Sequence, residues 1–141
     1  MNVRHPLAAL SLFVLLLLPA TASGQMVGDR VEVPGGAYWN ITVSELQQML
    51  AADDEPLLVN THIPFAGDIA GTDVSIPFNE ITDHLDELPD DKDAPVVLYC
   101  RSGPMSVRAA TALAGLGFTH IYSLEGGFNA WNAAGLPMDG R

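Results

Sequence analysis

A single cysteine, Cys100, opens the run Cys-Arg-Ser-Gly-Pro-Met-Ser over residues 100–106. The stretch before it, Pro95 to Tyr99, is apolar and of strand length, and a helical pattern begins near Met105 or Ser106. A strand that runs into a tight loop and then a helix turns loop amides toward one point. A helix N-terminus adds its positive end there, so an anion is stabilised. Such surroundings favour the thiolate form of a cysteine, which is its nucleophilic form. Around the thiol, Arg101 can pair with an anionic substrate or with an acidic surface. Ser102 and Ser106 can donate to the sulfur, and Ser106 can also cap the helix. Gly103 is expected to let the loop turn with positive φ. Pro104 stiffens the turn, while Met105 makes its mouth less polar. Arg108, farther along the helix, suits an ion pair as well as it suits attraction of a substrate.

Other chemistries lack their residues. One cysteine allows neither an internal disulfide nor a C-x-x-C pair. The chain has no phosphate-cradling P-loop and no dinucleotide glycine fingerprint. His5, His62, His84 and His120 are too scattered to give zinc-ligand spacing, although a Cys–His dyad through His62 or His120 stays open. Neither a metal nor a cofactor is expected. With 17 Asp/Glu against 6 Lys/Arg the formal charge is −11, which repels nucleic acid and anionic lipid.

The elements that must position Cys100 are legible as strands alternating with helices. Tyr38-Trp39-Asn40-Ile41 reads as a short strand. Thr42-Val-Ser-Glu45 fits a capping box opening a helix to about residue 52, with Leu46, Met49 and Leu50 at helical spacing. Leu57 to Asn60 is an apolar run without alternation, as in a central parallel strand. Thr61 to Ser75 reads as loop. Asn79 to Leu88 is expected to be a helix with Ile81, Leu85 and Leu88 on one face. Phe118 to Leu124 holds the last strand, and a short helix after Glu125-Gly126-Gly127 carries Phe128 and Trp131. This alternation implies an α/β fold with a central, mostly parallel sheet covered by helices on both faces. Ligands of such sheets sit beyond the carboxyl ends of the strands, where Cys100 falls.

The N-terminus reads as an address. A short basic start is followed by the apolar run Leu7 to Leu18, Pro19, and the small residues Ala20-Thr21-Ala22, which together make a secretory signal peptide over residues 1–22. Cleavage after Ala22 would remove Arg4 and no acid, leaving 5 basic against 17 acidic residues and a charge of −12. The expected product is periplasmic or otherwise exported and does not span a membrane; an uncleaved signal would leave it anchored. Residues 23–37 read as a flexible, Gly-rich lead-in, and residues 38–141 as the folded domain. A monomer is expected.

From Tyr38 to Pro137 the chain resembles a single-domain rhodanese, of the sulfurtransferase family. The resemblance rests on the loop Cys100 to Ser106, the tail Leu124-Glu-Gly-Gly-Phe-Asn-Ala-Trp131 with Gly135-Leu-Pro137, and the middle piece Gly67 to Pro77. It implies a small three-layer domain in which Cys100 takes sulfane sulfur from thiosulfate or a persulfide donor. The Cys100 persulfide would then pass sulfur to a thiophilic acceptor, with cyanide as the assay surrogate. Residues 101–106 would bind the anionic substrate, by backbone amides and by Arg101. A thiol acceptor or an external reductant is an expected partner. A non-catalytic sulfur-carrier or binding domain is the alternative. The chain departs from the family pattern where Asn60-Thr61-His62 replaces Asp-Val-Arg and where Asp68 replaces a histidine. Pro104-Met105 also replaces a more polar or basic pair, which favours an apolar or protein-bound donor as much as free thiosulfate. Phosphatase chemistry of the Cys-x5-Arg type would require arginine at position 106, which is serine.

Overall fold

The computed structural model describes residues 26–140. The expected signal peptide and its cleavage boundary therefore lie outside the described residues. Two β-strands, β1 (Asp29–Val33) and β2 (Gly36–Ile41), precede helix α1 (Val43–Leu50). Then follow β3 (Leu57–Asn60), the two-residue strands β4 (Asp68–Ile69) and β5 (Val74–Ser75), and two 3-10 turns. The chain continues as β6 (Val96–Tyr99), α2 (Pro104–Gly115), β7 (Ile121–Leu124), α3 (Gly127–Ala133) and β8 (Met138–Asp139).

The main sheet has the order β1-β2-β7-β6-β3-β5, and every pairing except β1 with β2 is parallel. Alternation along β6 divides the core. Val96 and Leu98 face Ala109, Ala110 and Leu113 of α2 on one side. On the other, Val97 and Tyr99 pack with Leu46 of α1 and with Phe128 and Trp131 of α3. All four β6 residues are buried because both faces are covered, which is why the run shows no polar alternation. The result is the expected three-layer α/β domain.

Helix α1 starts as its sequence dictates. Thr42 Oγ1 accepts from Glu45 N at 3.3 Å, and the Glu45 carboxylate accepts from Thr42 N at 2.8 Å. Two expectations need correction. Residues 29–33, within the expected flexible lead-in, form an edge strand paired to β2 from Asp29↔Asn40 to Val33↔Gly36. Pro34-Gly35 supplies the turn, and Gly36 has no room for a side chain, since a Cβ there would lie 2.6 Å from Ala114 O. The expected helix over Asn79–Leu88 is instead the 3-10 turns Ile81–Asp83 and Leu85–Glu87. Only Ile81 and Leu88 are buried there, Leu85 being 39 % exposed. A continuous helix would thus gain little burial while stacking four carboxylates.

Candidate active site

The carboxyl ends of β6, β3 and β7 lie side by side, and the loop after β6 is built on them. Thr61 N and Thr61 Oγ1 both donate to Tyr99 O, at 2.7 and 2.9 Å, which fixes the peptide just before Cys100. Gly103 then turns the chain with φ 122° and ψ −41°, a conformation that side chains disfavour, as the sequence led one to expect. Pro104 takes the first helical position, where its missing N–H costs nothing. Helix α2 thus begins at Pro104, a residue or two before the expected start.

The turn brings Gly103 N to within 3.0 Å of Cys100 Sγ, so the sulfur accepts a backbone hydrogen bond. Among the described residues, the amides of Arg101, Ser102, Met105 and Ser106 donate to no protein acceptor. Those of Met105 and Ser106 are the orphan donors of the first turn of α2. Four unspent amides within six residues of one sulfur form a place for an anion.

Two neighbours hold the loop. Ser106 is fully buried; its Oγ donates to Gly103 O at 2.9 Å and lies 2.9 Å from Ser123 Oγ on β7. It therefore ties α2 to the sheet, and neither caps the helix nor reaches the sulfur. From the other side, Phe128 N donates to Cys100 O at 2.9 Å and Asn129 N to Arg101 O at 3.0 Å. The start of α3 thus holds the cysteine loop by its carbonyls. This contact accounts for Gly127, where a Cβ would fall 2.2 Å from Cys100 O. Gly126, at φ 72°, is left-handed, and a Cβ there would meet the Ala130 methyl at 2.7 Å.

Cys100 is 1 % exposed but joins neither apolar cluster. The thiol lies beyond the carboxyl end of β6, as expected, but is shut from solvent. Arg101, Ser102 and Pro104 above it are exposed, and Gly103 and Met105 are half-buried. Arg101 makes no ion pair among the described residues. Arg108 is exposed, with its guanidinium 4.8 Å from the centre of the Phe78 ring, which makes it a packing residue.

Position 60 shows how the chain manages its departures. Buried Asn60 donates from Nδ2 to Gly67 O at 3.1 Å and to Asp68 Oδ1 at 2.8 Å, and its Oδ1 accepts from His62 N at 3.0 Å. Asp68 Oδ1 also accepts from Tyr99 OH at 3.3 Å. Burial pushes the Tyr99 phenol far up, so it remains a neutral donor. A neutral amide at 60 with a carboxylate at 68 satisfies this end of the sheet. His62 itself stands edge-on to Phe128, with ring centroids 5.5 Å apart. Sequence reasoning left it only as an open dyad candidate, and it missed Thr61, Ser123 and Phe128. The Gly-Gly pair before Phe128 was the available signal.

A cavity of about 410 Å³ lies elsewhere, lined by Met26, Met49, Pro56, Pro95, His120 and Tyr122 among others. Pro56, Pro95 and His120 precede β3, β6 and β7, so this cavity is at the opposite sheet edge, and Cys100 does not line it. The amide-bonded cysteine, and not this cavity, marks the site.

Comparisons with known proteins agree with this geometry. A sulfurtransferase of Allochromatium vinosum is 35 % identical over 100 residues, which are 70 % of this chain and 92 % of that one. The thiosulfate sulfurtransferase GlpE of Ectopseudomonas mendocina is 51 % identical, but over 43 residues that span 30 % of this chain and only 39 % of that protein. Among solved structures, a rhodanese-related protein from Thermoplasma volcanium superposes with a TM-score of 0.60 at 26 % identity, covering 70 % of this chain and 95 % of the other. The rhodanese-like domain of the Anabaena sp. Alr3790 protein gives 0.63 at 22 % identity, covering 72 % and 79 %, and supports the fold alone. With the family described as Rhodanese-like domain matching residues 42–134, the chain belongs to the rhodanese-like family, whose relatives here include named sulfurtransferases.

Proposed function

We propose that the protein is a sulfurtransferase that moves sulfane sulfur through a persulfide on Cys100. The observation that carries this is the sulfur at the end of β6, hydrogen-bonded to Gly103 N beneath four amides that have no protein acceptor. In the first half-reaction the thiolate attacks the outer sulfur of thiosulfate or of a persulfide, and sulfite or a thiol leaves. The outer sulfur of the product extends about 2 Å beyond Sγ, toward the unspent amides. Charge on that sulfur is met by donors already in place, which need no reorganisation. Arg101 is exposed at the mouth and is the cation best placed to receive an anionic donor. In the second half-reaction a thiophilic acceptor takes the outer sulfur and Cys100 is restored.

Half-buried Met105 and exposed Pro104 make the entrance apolar, which suits a protein-borne or organic persulfide as well as thiosulfate. The reading includes export by the N-terminal signal, action as a monomer, and an external thiol or reductant to protect the lone cysteine. A second reading, a carrier loaded once by a partner, is favoured by the 1 % exposure of Cys100.

Intact mass spectrometry tests the proposal. After thiosulfate the wild type should gain one sulfur, about 32 Da, and cyanide should remove it. Cys100→Ser should gain nothing. Repeated turnover separates enzyme from carrier, and an unchanged wild-type mass with thiosulfate and with organic persulfides would sink both.

A further inference from the structure

His62 is brought to the cysteine loop by pairing and packing that its own sequence neighbourhood does not announce. Strands β3 and β6 are parallel, with Asn60 opposite Tyr99, so the two residues beyond set His62 beside the Cys100–Arg101 segment. The double hydrogen bond from Thr61 to Tyr99 O fixes that register at the strand ends. Phe128, whose ring meets His62 at 89°, is the residue whose N–H holds Cys100 O. Imidazole, nucleophile loop and α3 therefore form one packed group. His62 Nδ1 is shut from solvent without a hydrogen-bond partner among the described residues, whereas Nε2 is not shut off in this way. Burial first, and the Arg101 guanidinium second, lower the His62 pKa below its usual 6.5. Arg101 on the loop is the charge that acts on it, Asp68 lies behind Asn60, and among the described residues no charged group is hydrogen-bonded to the ring. The Asp68 carboxylate is already engaged by Asn60 and Tyr99. Nothing holds the ring as imidazolium, so it offers a free lone pair at neutral pH.

We infer that His62 is the base that takes the proton from an incoming thiol, which makes a thiol the natural acceptor class for the sulfur on Cys100. This rests on the persulfide reading above. A thiol near pKa 8.5 is only a few per cent thiolate at neutral pH, so a base at the mouth matters for it. It matters little for an acceptor that is already an anion. In the step, R–SH gives its proton to the imidazole and R–S⁻ attacks the outer sulfur of the Cys100 persulfide. A new S–S bond forms, the bond to Cys100 Sγ breaks, and its electron pair leaves on Sγ. The products are R–S–S⁻, the Cys100 thiolate and an imidazolium that releases its proton to water. One S–S bond replaces another, so no oxidant or reductant is consumed. Arginine in this place could hold an anion but could not accept a proton.

The test uses the full protein loaded with thiosulfate and discharged into 2-mercaptoethanol or into sulfite, followed by intact mass. In His62→Gln the ratio of thiol discharge to sulfite discharge, at about pH 8, should fall about ten- to a hundredfold. Below the thiol pKa, wild-type discharge into the thiol should stay level until His62 itself protonates, below pH 6.5. The variant should instead lose about tenfold per pH unit, because only preformed thiolate reacts. An unchanged ratio, or a wild-type rate that falls tenfold per unit throughout, overturns the role of His62. The wild-type profile decides the matter even if the glutamine variant fails to fold. A wild type that loads and discharges without these signatures loses only the His62 assignment; one that never loads loses the persulfide reading and this inference together.

Discussion

At the residue scale the site depends on atoms that are absent as much as on those present. Gly127 has φ 54° and lies where a Cβ would meet Cys100 O at 2.2 Å. Gly127→Ala should therefore separate α3 from the cysteine loop, costing about 2 kcal/mol of stability in denaturant titrations. Persulfide loading should slow as well, because the carbonyls of Cys100 and Arg101 lose their donors. Asn60→Ala removes a buried amide that serves Gly67 O, Asp68 and His62 N together, and about 1–3 kcal/mol should be lost. Arg101→Ala should raise KM for thiosulfate about tenfold with a smaller effect on an uncharged organic persulfide, measured by initial rates. His62 also enters stability. Its folded pKa is lowered, so below about pH 6.5 the unfolded chain binds the proton first and stability falls as pH drops through that window. His62→Gln should flatten this part of a stability–pH curve.

Among the elements, α2 borders the proposed site and α1 is scaffold. The start of α2 is set locally, by Gly103 and Pro104, and its first-turn amides remain for a substrate. The start of α1 is set by the Thr42–Glu45 box, which spends amides on side chains instead. Thr42→Ala should lower stability by about 1 kcal/mol in denaturant titrations and leave the rate of sulfur loading per folded molecule unchanged. The start of α1 is legible in the sequence, and that of α2 to within a residue or two, because each depends on residues within four positions. The apolar spacing of segment 79–88 fits a helix, while the two Pro-bounded 3-10 turns are decided by which of those side chains the core accepts. Residues 29–33 depart from their local pattern for a related reason: strand β1 contains Asp29, Arg30 and Glu32, and becomes a strand only through its pairing with β2.

For the whole molecule, net charge opposes the chemistry proposed for it. At −11 for the full chain, the protein repels a dianionic donor, with Arg101 as a local exception. Raising ionic strength from low salt to about 0.1 M should increase kcat/KM for thiosulfate severalfold and hardly alter that for a neutral donor, in stopped-flow or initial-rate measurements. A fall with salt would show that local cations outweigh the global field. The main sheet also sets which residues can meet. From the sequence alone came the lone cysteine's strand–loop–helix setting, the need for glycine at 103 and the parallel, two-sided sheet. Each is encoded in short-range periodicity, in turn stereochemistry or in a hydrogen bond between near neighbours. Tertiary structure alone decided that Ser106 binds Ser123, that Asn60 shares Asp68 with Tyr99, and that His62 stands between Arg101 and Phe128. Those meetings join residues from 8 to 66 positions apart along the chain, Asn60 with Asp68 at one extreme and His62 with Phe128 at the other. They follow from parallel strand pairing, whose partners no local pattern specifies.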